Sequence, residues 1–210
     1  EWFNVNQKCP KCGSNRVDAI YTGDNSKIKE LVETDEKPDS LWHYFDFLPL
    51  NDRKNIITRG EGSVPMQRWE FLEDFARKHH KLNCKVYALR NDYNFATGTF
   101  KDKGASLAAS VLQETGRKDY IVASTGNTAT AFAHYLAAAG VSLSVFIPQD
   151  ALQQMETEIS SYGQKVFRVE GDYAKAKKIA AEYAKKYNIL MTGGNFDPLR
   201  VEAKKTMVFE

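Results

Sequence analysis

The 210 residues include 29 basic and 27 acidic side chains, a net charge of +2, with 42% hydrophobic and 27% charged residues. That is ordinary globular composition, in a chain long enough to bury a substantial core. The charges form no face-sized basic cluster, which argues against nucleic acid or an anionic bilayer as partner, and no apolar run approaches the roughly 20 residues that span a membrane.

Residues 1–40 read as an appendage. They hold Cys9-Pro10-Lys11-Cys12-Gly13 and a charged stretch between Glu33 and Asp39. Two cysteines make half of a zinc ribbon, since a structural zinc takes four ligands. The third cysteine, Cys84, is isolated in the sequence. The expectation is a structural remnant without metal, with Cys9 and Cys12 as the zinc candidates if an ion binds. An odd cysteine count also argues against a disulfide framework and for a reducing cytoplasm.

Residues 41–83 read as an entry segment and a helix. Leu41 to Pro49 is rich in aromatic residues, Thr58 to Pro65 is rich in turn formers, and residues 68–80 place Trp69, Leu72, Phe75 and Ala76 on one helical face.

From residue 84 strand and helix patterns alternate. Strands are predicted at 84–89, 120–123, 143–147, 166–169 and 189–191. Helices are predicted at 103–114, 128–139, 151–162, 172–187 and from 199 onward. Gly140 and Gly163 are placed to end helices. The 172–187 helix should turn Ala176, Ile179, Ala180, Tyr183 and Tyr187 inward. Such alternation predicts an α/β fold, an open parallel sheet with helices on both faces and with residues 84–210 as its domain. Right-handed crossovers would gather the strand-to-helix loops on one rim, where ligands bind. No Gly-x-Gly-x-x-Gly turn follows a predicted strand, which argues against a dinucleotide-binding oxidoreductase. The last helix meets no stop signal before Glu210, so the expectation is a portion of a longer chain.

Two rim loops carry unusual chemistry. One places Lys101 at the start of a helix, where its charge opposes the positive helix end. Solvent exposure accounts for such a lysine. So does a Schiff base with a carbonyl cofactor, once desolvation lowers its pKa. The other loop is Ser124-Thr125-Gly126-Asn127-Thr128, whose hydroxyls and free N–H groups suit a carboxylate or phosphate. Its plainer role is a helix cap from Asn127 or Thr128.

Together, Phe95-Ala96-Thr97-Gly98-Thr99-Phe100-Lys101-Asp102-Lys103-Gly104 and Ser124-Thr125-Gly126-Asn127-Thr128 resemble the cofactor-lysine and substrate loops of the threonine synthase family. Leu41-Trp42-His43-Tyr44, Arg59-Gly60-Glu61-Gly62-Ser63-Val64-Pro65, Gly171-Asp172-Tyr173 and Asp197-Pro198-Leu199-Arg200 resemble further segments of it. The resemblance covers nearly the whole chain. It implies an incomplete tryptophan-synthase-β-like fold, with the C-terminal remainder of the large domain after residue 210, and a homodimer at full length.

The resemblance also implies a pyridoxal 5'-phosphate-dependent carbon–oxygen lyase in the cytoplasm. It would convert a small phosphorylated amino acid, O-phospho-L-homoserine, and water to L-threonine and phosphate. Lys101 would hold the cofactor and shuttle protons. Phe100 would border the cofactor, and Asn127 would bond its ring hydroxyl. Ser124, Thr125, Gly126, Thr128, Asn195 and Arg200 would receive the substrate. Ala96, Thr99, Lys103, Gly194, Asn195, Asp197 and Ala203 depart from the family pattern, and Asp197 would repel a phosphate unless it points away. The family's glycine-rich phosphate loop belongs after residue 210, so the 210 residues alone are expected to be inactive. Cysteate synthase (kept open by Ala131-Phe132-Ala133-His134), threonine dehydratase and a non-catalytic truncated module are the alternatives.

Overall fold

The computed structural model describes residues 9, 11–14, 19–24, 26–34, 38–194 and 197–210. In chain order it contains α1 (Ser26–Val32), β1 (Met66–Arg68), α2 (Glu70–His80), β2 (Tyr87–Leu89), α3 (Lys101–Glu114), β3 (Asp119–Ala123), α4 (Asn127–Ala138), β4 (Ser142–Pro148), α5 (Gln153–Ser161), β5 (Lys165–Val169), α6 (Tyr173–Tyr187), β6 (Leu190–Met191) and α7 (Pro198–Phe209). Short 3-10 turns lie at Leu41–Phe47, Arg53–Asn55 and Asn91–Tyr93.

Four strands form a parallel sheet in the order β5-β4-β3-β6. Tyr120 of β3 sits opposite Leu143 on one side and Leu190 on the other. The two faces follow from the period of two along a strand. Tyr120, Val122, Leu143, Val145 and Ile147 face a core built with α3, α4, α5 and α7. Ile121, Ala123 and Phe146 face α6 alone, against Ala176, Ala180 and Ala184. These alanines recur every four residues, so the helix lays a smooth stripe on the sheet. The α/β class and the helices on both faces therefore stand as read from the sequence.

The chain steps outward from β3 to β4 to β5, then returns through α6 to place β6 on the far side of β3. That reversal leaves a crevice at the carboxyl ends of β3 and β6, the place where such sheets hold ligands.

Three expectations need correction. The strand predicted at 84–89 shrinks to β2, which pairs antiparallel with β1 in a separate two-stranded sheet. Cys84 is exposed in the connection before it. Second, no residue of α2 is buried, and Phe71 and Phe75 are 64% and 52% exposed. The helix links the two strands of that ribbon instead of lying on the parallel sheet. Third, Tyr187 is exposed. Its ring packs on Tyr183 along the helix surface, 4.5 Å between centroids, while Ala184 takes the inward position.

The entry segment is fastened to α3. Trp42 Nε1 donates to Ser106 Oγ at 2.9 Å, and Ser106 Oγ donates to the Ile57 carbonyl at 2.6 Å. Gly62 has φ +101°, and a Cβ there would stand 2.7 Å from Lys103 Nζ and 2.8 Å from Leu41 N. Only glycine fits that passage. In the appendage, the Gly13 N–H donates to the Cys9 carbonyl at 2.8 Å. Hydrogen bonds from Cys12 and Lys11 pull the Cys9 thiol pKa down. Among the described residues no cluster of three or more His, Cys, Asp or Glu suits a metal, and no helix is long and apolar enough to cross a membrane.

Candidate active site at the carboxyl ends of β3 and β6

A cleft of about 320 Å³ opens at the crevice. Ala123 and Ser124 at the end of β3 and Thr128 of α4 form one wall. Tyr173 and Lys177 of α6 form another. Met191, Thr192, Gly193, Gly194 and Arg200 close it from β6 and α7. Tyr173 is held in place by its hydroxyl, which donates to the Ala123 carbonyl at 3.1 Å. The amino ends of α4, α6 and α7 all point to this rim, so their dipoles favour an anion there.

The structure thus brings Ser124, Thr128 and Arg200 to one cleft. Lys101, Phe100, Thr125, Gly126 and Asn127 do not line it, and Asn195 lies outside the described residues. Gly126 is the N-cap of α4 and no side chain caps that end. The capping role open to Asn127 or Thr128 is therefore not the one adopted. Asn127 is exposed as the first residue of α4, and the Gly126 N–H donates to Ser124 Oγ at 3.3 Å.

Lys101 opens α3, half-buried. Its Nζ lies 4.2 Å from the centre of the Phe100 ring. Burial lowers its pKa, and the positive charges of Arg200 and Lys204 lower it further. No carboxylate pairs with it within 4 Å among the described residues. Arg200 reaches this neighbourhood because Gly104, one turn on from Lys101, gives room. A Cβ on Gly104 would touch Arg200 Cγ at 3.4 Å. A primary amine that is uncharged more readily than usual, flanked by an aromatic ring, suits attachment to a carbonyl cofactor.

Asp197 does not face the cleft as a repelling charge. It is buried and caps α7, accepting from the N–H of Leu199 at 3.1 Å and of Arg200 at 3.4 Å. Tyr120 Oη and Thr192 Oγ1 also donate to it, at 3.2 and 2.9 Å. The acid that was awkward in sequence thus organises the rim. It fixes the first turn of α7, which carries Arg200, whose Nη1 donates to Thr192 Oγ1 at 3.3 Å.

Behind Lys101 the neighbours are buried and paired. Asp102 accepts from the Thr97 N–H at 2.9 Å and from the Thr97 hydroxyl. Burial raises its pKa to about 6 despite those bonds. Lys103 pairs with Glu210 and bonds Thr206. Glu61 accepts from Tyr135 Oη at 2.7 Å. His134 packs edge-on against Tyr162 and Tyr135 and lines no part of the cleft.

Residues 57–210 match the family described as pyridoxal-phosphate dependent enzyme. The chain belongs to that family. It is 31% identical over 221 residues to a threonine synthase of Methanocaldococcus jannaschii, an overlap of 97% of this chain and 53% of that one. A threonine synthase of Halalkalibacterium halodurans is 33% identical over 81% of this chain and 46% of its own length. The chain spans about half the length of the curated relatives it matches. Threonine deaminase isoform 2 of Solanum lycopersicum superposes with a TM-score of 0.63 over 91% of this chain and 49% of that one, at 19% identity. That likeness establishes the fold: the open parallel sheet of the fold type II members of this family.

Sequence reasoning passed over Tyr173, Lys177, Thr192 and Gly193 as cleft residues. Their signal was positional. Each lies in the first turns after a predicted strand, or at the end of one, on the same rim as the loop that begins at Ser124.

Proposed function

We propose that this chain is the part of a pyridoxal-phosphate enzyme that holds the cofactor through Lys101. We further propose that the whole enzyme converts O-phospho-L-homoserine and water to L-threonine and phosphate. The observation that carries the reading is the half-buried amine of Lys101, which meets no carboxylate within 4 Å among the described residues and feels the charge of Arg200, a residue that lines an anion-favouring cleft. The threonine synthases among the relatives support the choice of reaction.

When bound, the cofactor supplies the electron sink for charge that develops at the substrate α carbon. The chain's own residues do the rest. Lys101, with its pKa drawn down, accepts the α proton at Nζ and returns it later. Ser124 and Thr128 offer hydroxyls, and the open amino end of α4 offers N–H groups, to an anionic group of the substrate. Arg200 faces the leaving phosphate with a planar guanidinium that matches its oxygens. Asn127 would hold the ring hydroxyl of the cofactor, and Phe100, whose ring already lies 4.2 Å from the Lys101 amine, would border it.

The test is covalent labelling. The protein is mixed with pyridoxal phosphate, reduced with borohydride, digested and mapped by mass spectrometry. The label is expected on Lys101 and is expected to vanish in Lys101→Ala. Label spread over surface lysines, with Lys101→Ala unchanged, would refute the assignment. Product analysis of a full-length relative carrying this segment, with O-phospho-L-homoserine as substrate, tests the reaction; release of phosphate without threonine would refute it.

A further inference from the structure

The cleft lining includes two cations, Arg200 and Lys177. Neither forms an ion pair within 4 Å among the described residues, and no carboxylate lines the cleft. An anion that enters a small cleft lined by two positive charges is attracted by both. The charges of Arg200 and Lys204 also reach Lys101, so the positive field extends beyond the cleft lining. A carboxylate carries one negative charge. A phosphate monoester carries close to two at neutral pH, with three acceptor oxygens. One guanidinium and one ammonium lining the same cleft match the second species better than the first.

We propose that Lys177 is a second phosphate-binding residue of this cleft and selects phosphorylated substrates over plain amino acids. The proposal rests on the functional reading above. Its position is fixed by the fold. Lys177 lies on α6, one turn after Tyr173, and the hydroxyl of Tyr173 ties that turn to the end of β3. The crossover that returns the chain to β6 therefore delivers a cation to the cleft lining. The ammonium supplies charge without fixed geometry, and Arg200 supplies direction. The group bound is the phosphate of the substrate; the phosphate of the cofactor is the competing source of the same chemistry.

The experiment is calorimetric titration of the 210-residue chain with inorganic phosphate, with acetate as the singly charged control. It is run on the wild type, Lys177→Ala, Lys177→Arg and Arg200→Ala. Lys177 is exposed, so screening limits its share, and Lys177→Ala is expected to weaken phosphate about five-fold. Lys177→Arg should stay close to the wild type, and acetate affinity should barely move. The titration is repeated after borohydride fixation of the cofactor, and the Lys177-dependent binding is expected to persist. Loss of that binding on fixation would assign the cation pair to the cofactor phosphate and overturn the proposal. If Lys177→Ala binds phosphate like the wild type while Arg200→Ala does not, Lys177 is no ligand and the reading of Arg200 survives. If no variant changes phosphate binding, both fall. If phosphate binds through Lys177 but Lys101 takes no label, the anion site stands and the cofactor reading fails.

Discussion

Replacing Asp102 by asparagine tests how deeply the cofactor-lysine segment is built into the core. Asp102 is fully buried, one residue after Lys101. Burial raises its pKa from 3.8 to about 6, with the nearby Glu61 adding to the rise. The difference of about two units corresponds to about 3 kcal/mol. Because the folded value lies above the unfolded one, the folded state binds the proton more tightly between them. The contribution is fully present below about pH 4 and is lost as pH rises through 6. Asparagine stays neutral throughout, and its Oδ1 can still accept the Thr97 N–H that Asp102 now accepts at 2.9 Å. Asp102→Asn is therefore expected to match the wild type near pH 4 and to be more stable by up to about 3 kcal/mol near pH 7. Urea unfolding of both proteins at half-unit steps from pH 4 to 7.5 measures the difference directly. A stability difference that stays flat over that window would refute the reasoning, because a solvated carboxylate has no such penalty to lose.

Three further outcomes follow from the same geometry. Gly62→Ala should cost more than about 2 kcal/mol, since it adds a steric clash to a left-handed φ. Gly116→Ala shares a positive φ but meets open space, so it should cost only about 1 kcal/mol, and paired thermal melts should resolve the two. Tyr135→Phe strips buried Glu61 of its 2.7 Å hydroxyl donor and should lower stability by about 1–3 kcal/mol in chemical denaturation. Lys204→Ala removes one of the charges that depress the Lys101 pKa. The pH midpoint of borohydride-fixed cofactor uptake should then move upward, because the amine attacks only when unprotonated; an unchanged profile would separate the two lysines.

Local pattern carried most of the architecture. The spacing of alanine and leucine in α3 and α4, the glycines after α4 and α5, and the short β-branched runs of β3 to β5 are each readable within a dozen residues. The Ser-Thr-Gly-Asn loop is readable in the same way, because it follows β3; the lysine loop follows β2, which pairs only with β1 in a separate ribbon, so the rim argument does not reach it. Periodicity reports that a segment is amphipathic, but not what will lie against it. That is why α2 shows an apolar face in sequence although no residue of it is buried, and why the 84–89 pattern suggests a strand of the parallel sheet although the partner of β2 is β1.

Charge placement was decided only in three dimensions. Asp197 looked hostile to phosphate in sequence, yet Tyr120, more than seventy residues upstream, draws its carboxylate inward. Lys177 is one of several lysines on α6, and nothing local sets it apart. It becomes a cleft residue because the β5-to-β6 crossover carries α6 back beneath β3. The chain itself determined the helices and most of the strands, since these depend on neighbours a few bonds away. Which side chains share a cavity depended on strand order, a property of contacts between residues distant in sequence, and that only the folded sheet supplies.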